Sequence, residues 1–154
     1  KPLALNAAEA AHAARAAEEH GVTLMEGYMY RAHPQISELV RLLRDGVIGE
    51  VRVMESSFGG HMHGGYDNYR MQRAAGGGAL MDLGCYGLSL SRLVAGSGTG
   101  HRFADPVSGK ATARIGERSG VDEWGVGIFE FDGGMIASVT CGNQVDIPSI
   151  AHVP

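Results

Sequence analysis

An aspartate and a tyrosine stand four residues apart in an otherwise apolar run, GGGALMDLGCYGLSLSRLVAG, which covers residues 76–96. Residues 79–94 predict a helix, and this helix brings Asp82, Tyr86 and Ser89 to one face because they occupy positions i, i+4 and i+7. A carboxylate and a phenol on one face of a helix can move protons to and from a substrate. The same two side chains can also form a hydrogen-bonded pair in a buried helix without chemistry, and spacing alone does not separate the two.

Three consecutive glycines, Gly76–Gly78, stand at the start of this helix, as glycines do in many phosphate-binding loops. A dinucleotide fingerprint requires G-x-G-x-x-G directly after a strand and an acidic residue about 20 positions further on. Here the glycines are contiguous and end a long glycine-rich loop, residues 59–78, so the sequence argues against a phosphate loop. Gly84 and Gly87, inside the helix, each cost about 1 kcal/mol relative to alanine. They predict a close neighbour, either another helix or a flat ligand.

The composition narrows the class of protein and of partner. The chain has 154 residues, of which 44% are hydrophobic and 19% are charged, as expected for a globular domain with a real core. Its 13 basic and 17 acidic residues give a net charge of -4 without any block of five like charges, which argues against nucleic-acid binding. No run reaches the roughly 18 apolar residues of a membrane span. We therefore expect a small-molecule partner, with neither nucleic acid nor membrane.

The cysteines and histidines indicate neither a disulfide framework nor a metal centre. Cys85 and Cys141 are the only cysteines and lack C-x-x-C spacing, which predicts free thiols and a cytoplasmic protein. His61 and His63 lie in the glycine-rich loop without a third ligand nearby, so we expect no metal site.

The N-terminal part of the chain predicts a helix followed by a strand. Residues 6–21 predict the helix, with Asn6 as N-cap, Glu9 as its capping-box partner and a glycine after the last turn. The apolar, partly β-branched stretch VTLMEGYMY, residues 22–30, predicts a short buried strand. A helix followed by a strand is typical of the end of an α/β unit.

The rest of the chain predicts an α+β arrangement of helices followed by an open, mainly antiparallel sheet. A second helix begins at Pro34 and ends at Asp45. Residues 48–58 predict a strand with two unlike faces, because Val51, Val53 and Glu55 alternate with Arg52, Met54 and Ser56. The helix predicted at residues 79–94 is followed by a break at residues 96–100. Further strands are predicted at residues 107–115, 124–131 and 135–141, with a hairpin turn at residues 132–134.

Five segments, in this order, closely resemble the glucose-fructose oxidoreductase, inositol dehydrogenase and MocA family (GFO/IDH/MocA). They are KPLALNAAEA, LMEGYMYRAHPQ, LLRDGVIGEVR, the run at residues 76–96, and FDGG. Of the family's branches, the chain looks most like dimeric dihydrodiol dehydrogenase and the NADP-dependent xylose dehydrogenases. The resemblance covers residues 1–142 and is weakest at residues 97–120.

The resemblance implies a domain organisation that the composition does not reveal. Residues 1–30 would be the last helix and strand of a dinucleotide-binding Rossmann domain whose N-terminal half lies outside this chain. Residues 31–154 would form an α+β substrate-binding and dimerisation domain, incomplete at its C-terminus, with helices on one face of the sheet. The open sheet would pair two copies as a homodimer.

The resemblance also implies roles for individual residues. Lys1 and Pro2 match the end of the family's E-K-P motif, whereas Asp82, Gly84 and Tyr86 match its D-x-G-x-H or D-x-G-x-Y motif. The implied catalytic residues are therefore Lys1, Asp82 and Tyr86. The residues implied to contact NADP or NAD are Lys1, Pro2, Arg31 and Tyr86. Because the loop at residues 59–78 runs directly into the helix, we expect its Tyr66, Tyr69, Arg70 and Arg73 to contact substrate or cofactor, or else to serve only as surface residues. Asp82 is expected to contact substrate together with Tyr69 and Arg70.

These residue types suit hydride transfer. Oxidation of a carbinol by a nicotinamide requires a general base and a cation beside the developing alkoxide. A free tyrosine has a pKa of about 10 and is a poor base, but a neighbouring ammonium favours its phenolate. We therefore expect Tyr86 to accept the proton, Lys1 to act as electrostatic partner, and Asp82 to orient the substrate hydroxyl or the lysine. The expected substrate is a sugar, polyol or cyclic diol. The alternative is a non-catalytic ligand-binding or self-association domain that has lost its cofactor half.

Overall fold

The computed structural model describes every residue from Lys1 to Pro154 and contains three α-helices and five strands. The helices are α1 (Ala7–Glu19), α2 (Pro34–Arg44) and α3 (Cys85–Gly98). The strands are β1 (Val53–Gly59), β2 (Pro106–Ile115), β3 (Asp122–Phe131), β4 (Ile136–Gly142) and β5 (Ile150–His152). None of the helices combines the length and apolar character that a bilayer crossing requires.

The five strands form one open sheet in the order β2-β3-β4-β1-β5. All neighbouring pairs are antiparallel except β1 and β4, which run parallel. The turn between β3 and β4 contains Gly133 and Gly134, each with a φ of 86°, a left-handed conformation that glycine adopts readily. The predicted hairpin and the mainly antiparallel open sheet are thus confirmed.

Helices α2 and α3 cover one face of this sheet and enclose the core. Met54, Val94 and Ala137 are almost completely buried there, and Leu43 and Phe131 pack against them. In β1 the side chains alternate, with Met54 and Ser56 buried and Val53 and Glu55 exposed. The two unlike faces predicted for this strand therefore exist, and the helices lie on one face of the sheet, as expected.

The opposite face of the sheet is uncovered and partly apolar. Trp124, Val126, Ile128 and Ile136 project from β3 and β4 and keep between 43% and 53% of their surface exposed. We call this surface the open face. Apolar side chains side by side at this exposure are more typical of an interaction surface than of a monomer's exterior.

The predicted strand at residues 22–30 is wrong. Residues 22–28 have no regular structure, and a short 3-10 helix follows at Met29–Ala32. A strand needs a neighbour for its backbone hydrogen bonds, and this segment pairs with none of the five strands of the sheet. Val22 and Met25 are accordingly 61% and 85% exposed.

Helix α1 follows its prediction closely but buries no side chain. The Asn6 side chain accepts a hydrogen bond from the Glu9 amide at 3.0 Å, and the Glu9 carboxylate accepts one from the Leu5 amide at 3.1 Å. No residue of α1 is buried. The division of the chain at residues 30 and 31 stays a prediction.

Candidate active site

The helix with the Asp82 and Tyr86 side chains begins with a π-helical turn, Leu80–Gly84, and continues as α3. The Cys85 amide donates to the Leu80 carbonyl, five residues back. The prediction of an uninterrupted α-helix over residues 79–94 is therefore wrong at its start, and α3 also continues to Gly98. Asp82 lies in the π turn and Tyr86 in α3. π turns inside helices occur frequently at functional sites.

Two glycines let this helix lie against the sheet. A Cβ on Gly84 would come within 2.8 Å of the Cys141 Sγ, and one on Gly87 within 2.8 Å of the Val139 Cγ1. Both distances are too short for real contacts, so a side chain at either position would push the helix off β4. The close neighbour at both glycines is therefore the sheet rather than another helix.

Asp82 contacts two cations through one of its oxygens. The Lys1 Nζ donates to the Asp82 Oδ1 at 2.9 Å, and the Arg70 Nε donates to the same oxygen at 3.1 Å. The carboxylate is only 12% exposed, which strengthens both interactions relative to a surface ion pair. Partial burial acts to lower the pKa of Lys1, but the hydrogen bond and charge of Asp82 outweigh it and raise that pKa above its ordinary value. The lysine is therefore held as an ammonium.

Tyr86 lies beside the same ammonium and among other aromatic rings. The Lys1 Nζ is 4.9 Å from the centre of the Tyr86 ring, within cation–π range. The rings of Tyr28, Tyr30 and Phe58 meet the Tyr86 ring edge-on, with centroids 5.5, 6.3 and 5.6 Å away. The fold thus brings the three predicted catalytic residues together, with Lys1 between Asp82 and Tyr86.

Two cavities flank this helix. A groove of about 890 Å³ lies between α2, α3, β1 and β5, and its lining includes Met29, Tyr30, Phe58 and Tyr86. A cavity of about 460 Å³ lies on the Asp82 side, where the N-terminal segment faces the glycine-rich loop. Its lining includes Lys1, Pro2, Tyr69, Arg70 and Asp82. Tyr69, Arg70 and Asp82 therefore share one cavity, whereas the loop candidates Tyr66 and Arg73 line neither of the two.

Arg31, a predicted cofactor contact, lies apart from this cluster. Its Nη2 donates to the Ser89 Oγ at 2.8 Å, and its guanidinium stacks over the Tyr28 and Phe103 rings. A longer contact of 3.8 Å joins it to Glu26. Arg31 lines neither of the two cavities and connects to Tyr86 only indirectly, through the Tyr28 ring and through Ser89 and Tyr30. Its role toward a cofactor stays a prediction.

His61 and His63, in the glycine-rich loop, do not belong to any cluster of potential metal ligands. No group of three or more histidine, cysteine or acidic side chains is placed to hold a metal together. The expectation that no metal takes part stays a prediction.

Sequence reasoning missed three neighbours of the site: Tyr28, Phe58 and Cys85. Tyr28 and Phe58 pack on Tyr86. Cys85 is buried beneath the π turn, where its thiol donates to the Met81 carbonyl at 3.2 Å and burial raises its pKa. Burial likewise raises the pKa of Tyr28. Tyr28 and Phe58 stand far from Tyr86 in the chain, so no local sequence pattern links them to it.

The described fold and site agree with a known protein family. Residues 36–149 match the GFO/IDH/MocA C-terminal domain. The chain belongs to the GFO/IDH/MocA family. The family predicted from the five sequence segments is therefore confirmed.

Relatives in the GFO/IDH/MocA family include both predicted branches. The chain is 36% identical over 139 residues to D-xylose 1-dehydrogenase (NADP(+)) 2 from Haloferax volcanii, covering 90% of this chain and 40% of that protein. It is 32% identical over 157 aligned residues to trans-1,2-dihydrobenzene-1,2-diol dehydrogenase from Mus musculus, and the match covers 99% of this chain and 43% of that protein.

A solved GFO/IDH/MocA-type structure shows the same architecture. The 3-ketoreductase from Actinomadura kijaniata, in complex with NADP and TDP-benzene, superposes with a TM-score of 0.83 at 29% identity. The match covers 98% of this chain and 44% of that one. The chain thus spans less than half the length of the relatives it matches.

Proposed function

We propose that this chain is the catalytic and substrate-binding half of an NAD(P)-dependent oxidoreductase. The enzyme transfers a hydride between a nicotinamide cofactor and a sugar, polyol or cyclic diol. The observation that carries the proposal is the position of the Lys1 ammonium, in contact with both the Asp82 carboxylate and the Tyr86 ring. The names of the relatives, a xylose dehydrogenase and a dihydrodiol dehydrogenase, support this substrate class.

The residues present fit the nicotinamide end of the cofactor. Lys1 and Pro2 line the cavity beside Asp82, whereas Tyr86 lines the neighbouring groove and contacts the lysine through its ring. A substrate carbinol that meets a nicotinamide beside Lys1 would therefore lie next to both a polar group and an aromatic ring. The chain contains no G-x-G-x-x-G, and we propose that the pyrophosphate is held by residues outside it. When bound, the nicotinamide supplies the hydride chemistry.

Each of the three side chains has a separate task in this proposal. Tyr86 takes the proton from the carbinol hydroxyl during oxidation and returns it during reduction. The Lys1 ammonium stabilises the oxygen on which negative charge develops. Asp82 holds the lysine in place and in its charged form, and its Oδ2 stays available to a substrate hydroxyl.

The same proposal extends to the domains, the cofactor, the oligomeric state and the compartment of the protein. Residues 1–30 complete a Rossmann domain, and residues 31–154 bind substrate. The cofactor is NADP or NAD, with NADP favoured by the names of the xylose dehydrogenase and the 3-ketoreductase complex. Two copies pair through the open face, whose exposed apolar side chains suit a homodimer. Both cysteines are free thiols, as suits a reducing compartment such as the cytoplasm.

The test uses the protein isolated from its source. Its intact mass is compared with the 16.2 kDa of this chain, and NADPH and NADH are titrated by fluorescence. A mass of about twice that value, with cofactor binding and turnover of a sugar or diol, supports the proposal. An unchanged mass without cofactor binding would contradict the proposal. It would favour the alternative of a self-association domain, which the exposed apolar side chains of the open face support.

A further inference from the structure

The residue before the helix that bears Asp82 and Tyr86, which we call the catalytic helix, supplies no side-chain cap. Ala79, before the π turn Leu80–Gly84, makes no side-chain hydrogen bond. The first amides of any helix lack partners within the helix and must find an acceptor elsewhere. Asp82 belongs to this first turn, so movement of the turn would displace the carboxylate that holds Lys1.

A carboxylate from the sheet supplies the missing acceptor. The Leu80 amide donates to the Asp122 Oδ2 at 2.6 Å, although 42 residues separate them. Asp122 is the first residue of β3, at the point where the pairing of β2 and β3 shifts register. Such shifts re-aim the side chains beside them. A negative charge at the start of a helix also interacts favourably with the helix dipole.

The glycine triplet makes room for this contact. A Cβ on Gly78 would collide with the Asp122 carboxylate, and Gly78 has a φ of 120°, which side chains rarely allow. Its amide donates to the Arg70 carbonyl at 2.8 Å, and a Cβ on Gly77 would collide with the same carbonyl. The glycines therefore bring together the loop with Arg70, the helix start and Asp122.

We propose that Asp122 is a positioning residue for the hydride-transfer reaction. It anchors the first turn of the catalytic helix to β3 and thereby fixes Asp82 relative to Lys1 and Arg70, without touching substrate or cofactor. The inference rests on the proposed function. It also gives the Gly76–Gly78 triplet a role that requires no phosphate.

The test compares three variants of the full native protein: Asp122→Ala, Asp122→Asn and the control Glu130→Gln. Glu130 is an exposed carboxylate of the same strand whose side chain accepts from Ser108. Steady-state kinetics give kcat and KM, and hydrogen–deuterium exchange gives the protection of amides 79–86. In the native protein, the Leu80 amide should exchange slowly although the residue is 49% exposed.

The two Asp122 variants should differ from each other, and Asp122→Ala should differ from the control. Asp122→Ala speeds exchange of the first-turn amides by about fivefold and lowers kcat by about tenfold or more, with KM nearly unchanged. Asp122→Asn, whose amide oxygen can still accept, stays within about threefold of wild type in both. Glu130→Gln changes neither.

Three results would overturn the positioning role. They are a fast-exchanging Leu80 amide in the unaltered protein, unchanged exchange in Asp122→Ala, and faster exchange with unchanged kcat. The first needs no variant and so holds even if Asp122→Ala does not fold. If the native protein transferred no hydride, the proposed function would fail and the positioning role with it, whereas the exchange data would still show whether Asp122 caps the helix.

Discussion

The Lys1 Nζ lies 2.9 Å from the Asp82 Oδ1, although 81 residues separate the two in the chain. This contact joins the N-terminal segment to the start of the helix that bears Asp82 and Tyr86. It also raises the pKa of the lysine, so the group that would face a developing alkoxide is a stable ammonium. The site is therefore assembled by tertiary structure rather than by one local motif.

Replacement of Tyr86 by phenylalanine removes the proposed proton acceptor and keeps the ring that packs on Tyr28 and Phe58. We expect kcat to fall by about 10² to 10⁴, whereas KM changes by less than about threefold. Steady-state kinetics measure both. The control Tyr66→Phe makes the same chemical change at a ring that stacks on Arg118 and should leave kcat unaltered. Equal losses in kcat and in substrate affinity would show that Tyr86 only positions substrate.

Replacement of Arg70 by methionine removes one of the two cations on the Asp82 Oδ1. We expect kcat/KM to fall by about tenfold, because a charge-assisted hydrogen bond to a mostly buried carboxylate is lost. Arg70→Lys should recover part of that loss. Arg73, in the same loop, has no ion pair with Asp82, so Arg73→Met is the matched control. If Arg70→Met and Arg73→Met had the same kcat/KM, Arg70 would have no role at the site.

The sequence predicted the elements whose signals are local. The capping pair Asn6 and Glu9 and the glycine turn after β3 need only neighbouring residues, and both were predicted correctly. The π turn was missed, and it lies where Gly84 packs closely against Cys141 of β4, a long-range contact that hydrophobic periodicity does not reveal.

The contacts of the site required knowledge beyond local pattern. The family resemblance named Lys1, Asp82 and Tyr86, but the second cation on Asp82 and the cap from Asp122 arise from long-range contacts. The apolar stretch at residues 22–30 predicted a strand because composition does not tell whether a neighbouring strand is present to pair with it.

Stability should fall in alkaline solution because of Cys141. Burial raises the pKa of this thiol to about 11, from an ordinary value of 9.0. The folded state therefore keeps the proton more tightly than the unfolded chain. The stability that this shift contributes is fully present below pH 9.0 and is lost as the pH rises to about 11. The free energy of unfolding therefore falls by up to about 2 kcal/mol.

Urea denaturation at several pH values measures this decline. The variant Cys141→Ala lacks the titrating thiol and should show a shallower alkaline decline than the wild type, even though its stability at neutral pH is lower. An identical pH dependence in both proteins would exclude Cys141 as the cause.

The open face should control self-association. Ile128, 53% exposed, lies near the middle of β3, opposite Lys110 on β2 and Ser138 on β4. The variant Ile128→Asp would bury a charge in the proposed interface and should weaken the dimer at least about tenfold. Sedimentation velocity over a concentration series measures this change. Val47→Asp, at a 62% exposed position after α2, should dimerise as the wild type does. A dimer unaffected by Ile128→Asp would place the interface elsewhere.

Transfer of isotope to the cofactor tests the central claim most directly. The native protein is incubated with NADP or NAD and with sugars and cyclic diols that bear deuterium on the carbinol carbon, and the reduced nicotinamide is examined by mass spectrometry. The proposed function predicts deuterium in the reduced cofactor, formed far more slowly by Tyr86→Phe. Folded native protein that binds the cofactor and yet transfers no deuterium from any of these substrates would contradict it.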